Sequence, residues 1–327
     1  MDLLVTYILP LIMLFILELS YFEISDRFNI VDKPNERSSH KIPTIRGGGV
    51  IFLLSVILFF FRSGYSYPYL LTAMMISGIV SFIDDIRTVS NPIKFVVHIL
   101  SVILLFKECE FLNLPISFLV VIGIVVIGVI NAYNFMDGIN GITGLYSLAV
   151  IVPLFITEFN SILKSLELFS IIGLLVFNFF NTRKNARCFA GDIGSICLAI
   201  VIVFLLLMRI KETSQFTYIG FLLVYGIDSV YTILQRLYQK ESIFTPHRKH
   251  LYQYLCNEKL KPHVWVSAAY AFLQLTINLL IVFGYINCLS LLLLLVFLSI
   301  IYWVIKAPLI KYQLNKISSS SFPDNFL

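Results

Sequence analysis

Apolar residues run through this chain in long blocks, and the polar residues that interrupt them recur at near-regular intervals. Blocks of roughly 17–22 residues match the thickness of a bilayer's hydrocarbon core when wound as helix. The pattern predicts eleven spans, at about 3–22, 46–62, 68–86, 93–107, 115–133, 139–157, 161–181, 193–210, 216–236, 264–285 and 288–306. The segments at 46–62 and 93–107 are short, and loss of one would leave ten. The first block has no basic stretch before it and no small-residue cleavage site after it, so it is expected to stay as a helix. The fold class is therefore all-α, a polytopic membrane protein. Residues 1–317 are expected to form one integral-membrane domain, and the serine-rich stretch 318–327 a disordered tail.

Composition agrees. Apolar residues make up 58% of the chain and charged residues 13%, with mean hydropathy +0.89. Soluble domains run about 45–50% apolar and about 25% charged, so a soluble fold is excluded. The charge is also sorted along the chain. Of the 24 Lys and Arg residues, only Arg62, Lys107, Lys164, Arg209 and Lys211 fall on the side of the even-numbered loops. The positive-inside rule then puts the odd-numbered loops and the C-terminus in the cytoplasm and the N-terminus outside. The net charge of +5 is that of inner loops facing anionic headgroups, and nothing marks a nucleic-acid binder. The five cysteines form no CxxC pair and no zinc spacing, so reduced thiols are expected.

The polar clusters at the membrane edges all lie on this inner side. The first loop, Asp32 to Gly49, carries Lys33, Arg37, Lys41 and Arg46 and ends in Gly47-Gly48-Gly49; its cations could meet phosphate, although a solvated basic loop would look the same. Asp84 and Asp85 end the third span, with Arg87 and Lys94 close behind. Adjacent carboxylates suit Mg²⁺, or one could act as a base. The plain alternative is an interfacial pair bridged to Arg87 and Lys94. Asn131 and Asn134 share a helix face that runs to Asp137, with Asn140 three residues on. Asp137 or Asn140 could equally cap the next helix, and Asp192, after Phe189-Ala190-Gly191, could cap the eighth. Thr245-Pro246-His247-Arg248-Lys249-His250 reads as an anion site. Asp228 and Arg236, eight apart on one face, read as a structural ion pair.

In this order and spacing the motifs resemble the polyprenyl-phosphate N-acetylhexosamine-1-phosphate transferases, from Asp32 to about Tyr254. The resemblance implies an enzyme that moves a sugar 1-phosphate from a UDP-N-acetylhexosamine to undecaprenyl phosphate and releases UMP. It implies Mg²⁺ as cofactor, with Mn²⁺ as the alternative ion, and a homodimer is compatible with it. The implied setting is the bacterial inner membrane, with the active site facing the cytoplasm. Asp84, Asp85 and Asp192 match the family's acidic and metal-binding positions, and Phe189 the aromatic that stacks on uracil. Asn131, Asn134 and Asp137 match the nucleotide-lining Asn-x-x-Asn-x-x-Asp-Gly motif. Lys41 and Lys94 resemble cations near the uridine and diphosphate. Arg248 and His250 match the retained part of the last loop, with His250 implied as catalytic. Two features depart from the family: Asn140 replaces a second aspartate, and Tyr252-Gln253 replaces clustered histidines. The form Pro246-His-Arg-x-His250-x-Tyr252-Gln253 looks like the O-antigen-initiating branch that handles GlcNAc relatives such as FucNAc or QuiNAc. The other class consistent with these spans, a lipid-linked-sugar flippase or nucleotide-sugar transporter, would place its ionisable residues near the bilayer midplane.

Overall fold

The computed structural model describes residues 4–34, 42–157, 160–242 and 247–320, the last eight as backbone only. Lys41, Thr245 and Pro246 lie outside the described residues. Each apolar block is helical: α1 (Leu9–Phe28), α2 (Val50–Arg62), α3 (Pro68–Ile86), α4 (Asn91–Glu108), α5 (Ile116–Met136), α6 (Ile142–Ile156), α7 (Ser161–Asn181), α8 (Gly191–Thr213) and α9 (Leu223–Tyr238). After the short α10 (Leu251–Asn257) come α11 (His263–Val282) and α12 (Cys288–Ser320). A single helical turn, Leu4–Ile8, leads into α1, and a 3₁₀ segment, Phe216–Leu222, leads into α9. Eight of these helices are long and apolar enough to cross a membrane, while α2 and α6 are shorter apolar helices of 13 and 15 residues. The chain is an all-α polytopic membrane protein.

Two helices run well past their predicted spans. α1 continues to Phe28 and α12 to Ser320. Residues 318–320, expected to be tail, are therefore helix. Hydropathy marks where lipid ends, whereas a helix goes on wherever its backbone bonds are satisfied. The segment after α1 also forms a two-residue antiparallel pair, β1 (Val31–Asp32) with β2 (Thr44–Ile45), and Ile45 bridges in parallel to Cys188.

α8 is the centre of the bundle, buried along nearly its whole length and packed on α3, α5 and α2. Its approach to α2 depends on glycine. A Cβ on Gly49 would lie 2.2 Å from the Gly194 Cα, so only hydrogen fits between the two backbones. At the opposite end from the polar clusters, Arg209 Nη2 meets Glu167 at 2.8 Å with both side chains buried. Such a pair is retained because removing one partner strands the other charge. Cys109, Cys188, Cys197 and Cys256 are buried thiols and Cys288 an exposed one, all unbridged.

Candidate functional site

The segments after α1, α3, α5, α7 and α9 meet at one end of the bundle. The first anchor is backbone pairing. Phe189 N–H donates to Ile45 O at 2.8 Å, Gly48 N–H to Phe189 O at 2.9 Å and Gly49 N–H to Ala190 O at 3.0 Å. The segments after α1 and α7 are thereby locked edge to edge, and α8 starts beside α2.

α8 opens at Gly191, whose φ of +70° is a conformation side chains resist. A Cβ there would also strike Asp85 Oδ2 at 2.5 Å. The cap expected from Asp192 comes instead from α3. Asp85 accepts the Asp192 N–H at 3.0 Å and the Ile193 N–H at 3.2 Å. Its carboxylate thus sits against the positive end of α8. Arg46 Nε closes the other side of Asp85 at 2.8 Å, and Arg46 Nη2 reaches Asp192 at 3.8 Å. The Asp85 side chain has no exposed surface, whereas Asp192 keeps 25% open. That difference sorts the acids: Asp85 is saturated by the protein, and Asp192 faces outward.

Asp84, one residue away and about 100° around the helix, points elsewhere. It accepts Val89 N–H at 2.7 Å and Lys94 Nζ at 2.5 Å. The Lys94 bridge is present as the plain alternative had it, and it coexists with a second contact: the Asp84 and Asp192 carboxyls stand within hydrogen-bonding reach of each other. Asn134 joins them from α5, donating to Ser195 at 3.3 Å on the first turn of α8 and bonding Asp192.

The rest of the α5 motif is arranged around this pair. Asn131 bonds back to Ile127 O at 2.8 Å on its own helix. Asp137 follows the end of α5 and accepts Thr143 Oγ1 at 2.6 Å. Burial, helped by the nearby Asp192 charge, pushes its carboxyl up to about 6. Neither Asp137 nor Asn140 caps α6, whose cap position is Gly141. Asn140 is buried and donates to Arg183 O at 2.8 Å, tying the segment after α5 to the segment after α7. It does not line the opening.

The fifth segment also differs from expectation. His250 is buried, its Nδ1 3.3 Å from Asp228 Oδ1. Its ring stacks between His247, at 5.1 Å, and Tyr252, at 5.6 Å. His247 is kept neutral, its pKa driven to about 3 by burial and by the surrounding cationic groups. Arg248 is half-buried in the same segment. Asp228 and Arg236 are not a pair: Asp228 takes its donors from α10, α11 and α12, and Arg236 instead reaches Ser242 O and Glu241. Residues eight apart share a helix face without sharing a partner.

The structure thus brings together Asp84, Asp85, Asp192, Asn134 and Lys94, places Asp137 and the half-buried Phe189 at their margin, and adds Arg46. Its position before three glycines at a helix mouth was the available signal, one that fits a plain basic loop equally well.

Residues 67–210 match glycosyl transferase family 4, a stretch that holds Asp84, Asp85, the α5 motif, Phe189 and Asp192. A Bacillus subtilis protein named probable undecaprenyl-phosphate N-acetylglucosaminyl 1-phosphate transferase is 25% identical, over 77% of this chain and 76% of its own. The Salmonella typhi undecaprenyl-phosphate alpha-N-acetylglucosaminyl 1-phosphate transferase is 24% identical over 70% of each chain. A Dictyoglomus thermophilum phospho-N-acetylmuramoyl-pentapeptide-transferase is 26% identical over 60% of this chain and 70% of its own. With the acidic centre, the asparagine motif and the helical bundle in one chain, this protein is similar to the polyprenyl-phosphate N-acetylhexosamine-1-phosphate transferases.

Proposed function

We propose that the protein transfers an N-acetylhexosamine 1-phosphate from a UDP-sugar to undecaprenyl phosphate, releasing UMP and leaving a lipid diphosphosugar. The observation that carries this is the adjacent pair Asp192, partly open to solvent, and Asp84, largely covered, flanked by Arg46 and Lys94 at one end of a membrane-spanning bundle. A diphosphate donor needs cations around it, and a lipid acceptor must meet it at the bilayer edge. Phe189 offers a ring to uracil, and Asn131 and Asn134 offer amides to the nucleotide without repelling its phosphates. Arg46 and Lys94 can turn toward the diphosphate, as can Arg248 from the last segment.

The acids present fit a magnesium ion. Mg²⁺ is held by one or two carboxylates and completes its shell with water and substrate phosphates. Asp192 and Asp84 supply two adjacent carboxyls, and no three His, Cys, Asp or Glu side chains form a closed cage among the described residues. Asp192 and Asp84 would hold Mg²⁺, or Mn²⁺ in its place, while Asp85 holds α8 and Arg46. When bound, the ion supplies positive charge against the oxygens of the phosphate under attack. The residues' own work is positional. Arg46 and Lys94 neutralise charge between two anionic reactants. A phosphate monoester is largely dianionic near neutral pH, its second pKa being about 6, so the acceptor needs no base.

GlcNAc is the first donor to test, because two of the relatives are named for it. FucNAc and QuiNAc follow, on the form of the last loop. The distribution of Lys and Arg supports a site on the cytoplasmic face of a bacterial inner membrane, and the form of the last loop supports a product that starts an O-antigen-type surface glycan. Purified protein with undecaprenyl phosphate and a panel of UDP-N-acetylhexosamines tests this. Lipid product that needs Mg²⁺ and disappears in Asp192→Ala supports the reading. Folded protein that forms no lipid product with any donor overturns it.

A further inference from the structure

Asp228 is buried on α9 with 1% of its side chain exposed, and four elements converge on it. It accepts the Tyr270 hydroxyl of α11 at 2.8 Å and the Tyr302 hydroxyl of α12 at 3.0 Å. It also accepts the Leu251 N–H at the start of α10 at 3.0 Å and the Thr232 hydroxyl at 3.3 Å, with His250 Nδ1 at 3.3 Å. Behind these, the fully buried Lys306 donates to Tyr302 at 2.5 Å and to Thr232 at 2.8 Å. A carboxylate withdrawn from water costs several kcal/mol unless its lone pairs are met, and ionisable groups inside membrane proteins are functional by default. A carboxylate that only locked helices together would need partners on helices alone. This one spends a contact on His250, in the segment that carries His247 and Arg248, and another on the Leu251 N–H that opens α10 directly after it.

That segment in turn leans on the end of α5. The Tyr252 hydroxyl donates to Phe135 O at 3.1 Å, and the His247 ring lies 6.4 Å from Phe135. A Cβ on Gly138 would strike the Tyr252 hydroxyl at 2.3 Å, so this contact is close on both sides. Phe135 follows Asn134, the residue that bonds Ser195 and Asp192.

We propose that Asp228 is a positioning residue. It fixes the His250 imidazole and the first turn of α10, and so sets where His247 and Arg248 stand over the end of α5. His250, closed off by Asp228 and the two stacked rings, is a positioning residue too, and no phosphate reaches it. Through Tyr302 and Lys306, α12 becomes part of the support of the site. This role rests on the transferase reading.

The test uses the full-length protein in detergent with Asp228→Asn and His250→Gln. Both should raise the KM for the UDP-sugar about tenfold, lower kcat less than about threefold and leave the KM for undecaprenyl phosphate unchanged. A histidine that touched the reacting phosphate would instead lose kcat by orders of magnitude. The second readout needs no catalysis: trypsin should cut folded Asp228→Asn after Arg248 or Lys249 about tenfold faster than wild type. Unchanged donor KM together with unchanged cleavage, even at a lowered melting temperature, would overturn the proposal, leaving Asp228 a fold-locking group only. If wild type transfers no sugar, the transferase reading fails while the trypsin comparison still decides the positioning role. Tyr302→Phe and Lys306→Met should move both readouts the same way by a smaller factor, and they stand in if Asp228→Asn does not fold.

Discussion

Two neighbouring aspartates have opposite environments because a helix turns about 100° per residue. Asp85 is aimed into protein, at two backbone N–H groups and Arg46, while Asp84 turns to Lys94 and Asp192. Replacing Asp85 by alanine strands the two backbone N–H groups at the start of α8 and takes the nearer carboxylate from Arg46, a loss of about 2–4 kcal/mol. Its thermal unfolding in detergent should fall well below wild type. Asp84→Asn should keep the wild-type melting temperature within a few degrees and lose most of the activity. The reverse ranking would contradict this division of labour. The sequence made both residues visible as candidates, since paired acids at a membrane edge are rare, but it could not say which was saturated. That depends on the start of α8, more than a hundred residues downstream. The burial of His250 was hidden for the same reason, because its partner Asp228 is distant and the residues that close over it come from three elements.

Asp137 gives a pH test at this scale. Its folded-state pKa of about 6 lies above the ordinary carboxylate value, so the folded protein binds the extra proton more readily than the unfolded chain. Its contribution to stability is full below the unfolded pKa and is lost as pH rises through about 6. Asp137→Asn should therefore melt higher than wild type near pH 7.5, by the equivalent of about 1–3 kcal/mol, and the gain should shrink toward pH 4. A gain that is constant across this range would show that burial of the charge is not its cause.

At the scale of elements, apolar block length was enough to find the long helices, since lipid demands a continuous run of backbone-satisfied, oily residues. It could not find α10, seven residues long, or the two-residue strands β1 and β2, which are too short to carry a period. It also could not foresee how closely α2 and α8 approach. Gly49→Ala puts a methyl group 2.2 Å from the Gly194 Cα and forces the two helices apart at the mouth of the site. Yield of folded protein should drop, with a melting temperature several degrees lower. Gly128→Ala, where nothing lies within 4 Å, should match wild type or exceed it slightly through better helix propensity. Equal behaviour of the two variants would contradict the close approach.

For the whole molecule, the distribution of Lys and Arg foretold that the chemistry would gather on one face, and the segments after α1, α3, α5, α7 and α9 do meet at one end of the bundle. The same distribution is the ground for the proposed absolute orientation. A cysteine placed at Ser90, in a variant lacking the exposed Cys288, should resist a membrane-impermeant maleimide in intact cells and react once the membrane is opened. Labelling in intact cells would invert the topology and put the acidic centre outside. The central claim concerns which bond breaks. Attack on the β-phosphorus by a lipid phosphate releases UMP and keeps the β-phosphate with the sugar, whereas attack on the sugar carbon releases UDP. The most direct measurement follows the donor labelled with ³²P in its β-phosphate, with purified protein, Mg²⁺ and undecaprenyl phosphate. The label should appear in the lipid with an equal amount of unlabelled UMP. Label released as UDP, with an unlabelled lipid product, would contradict the account.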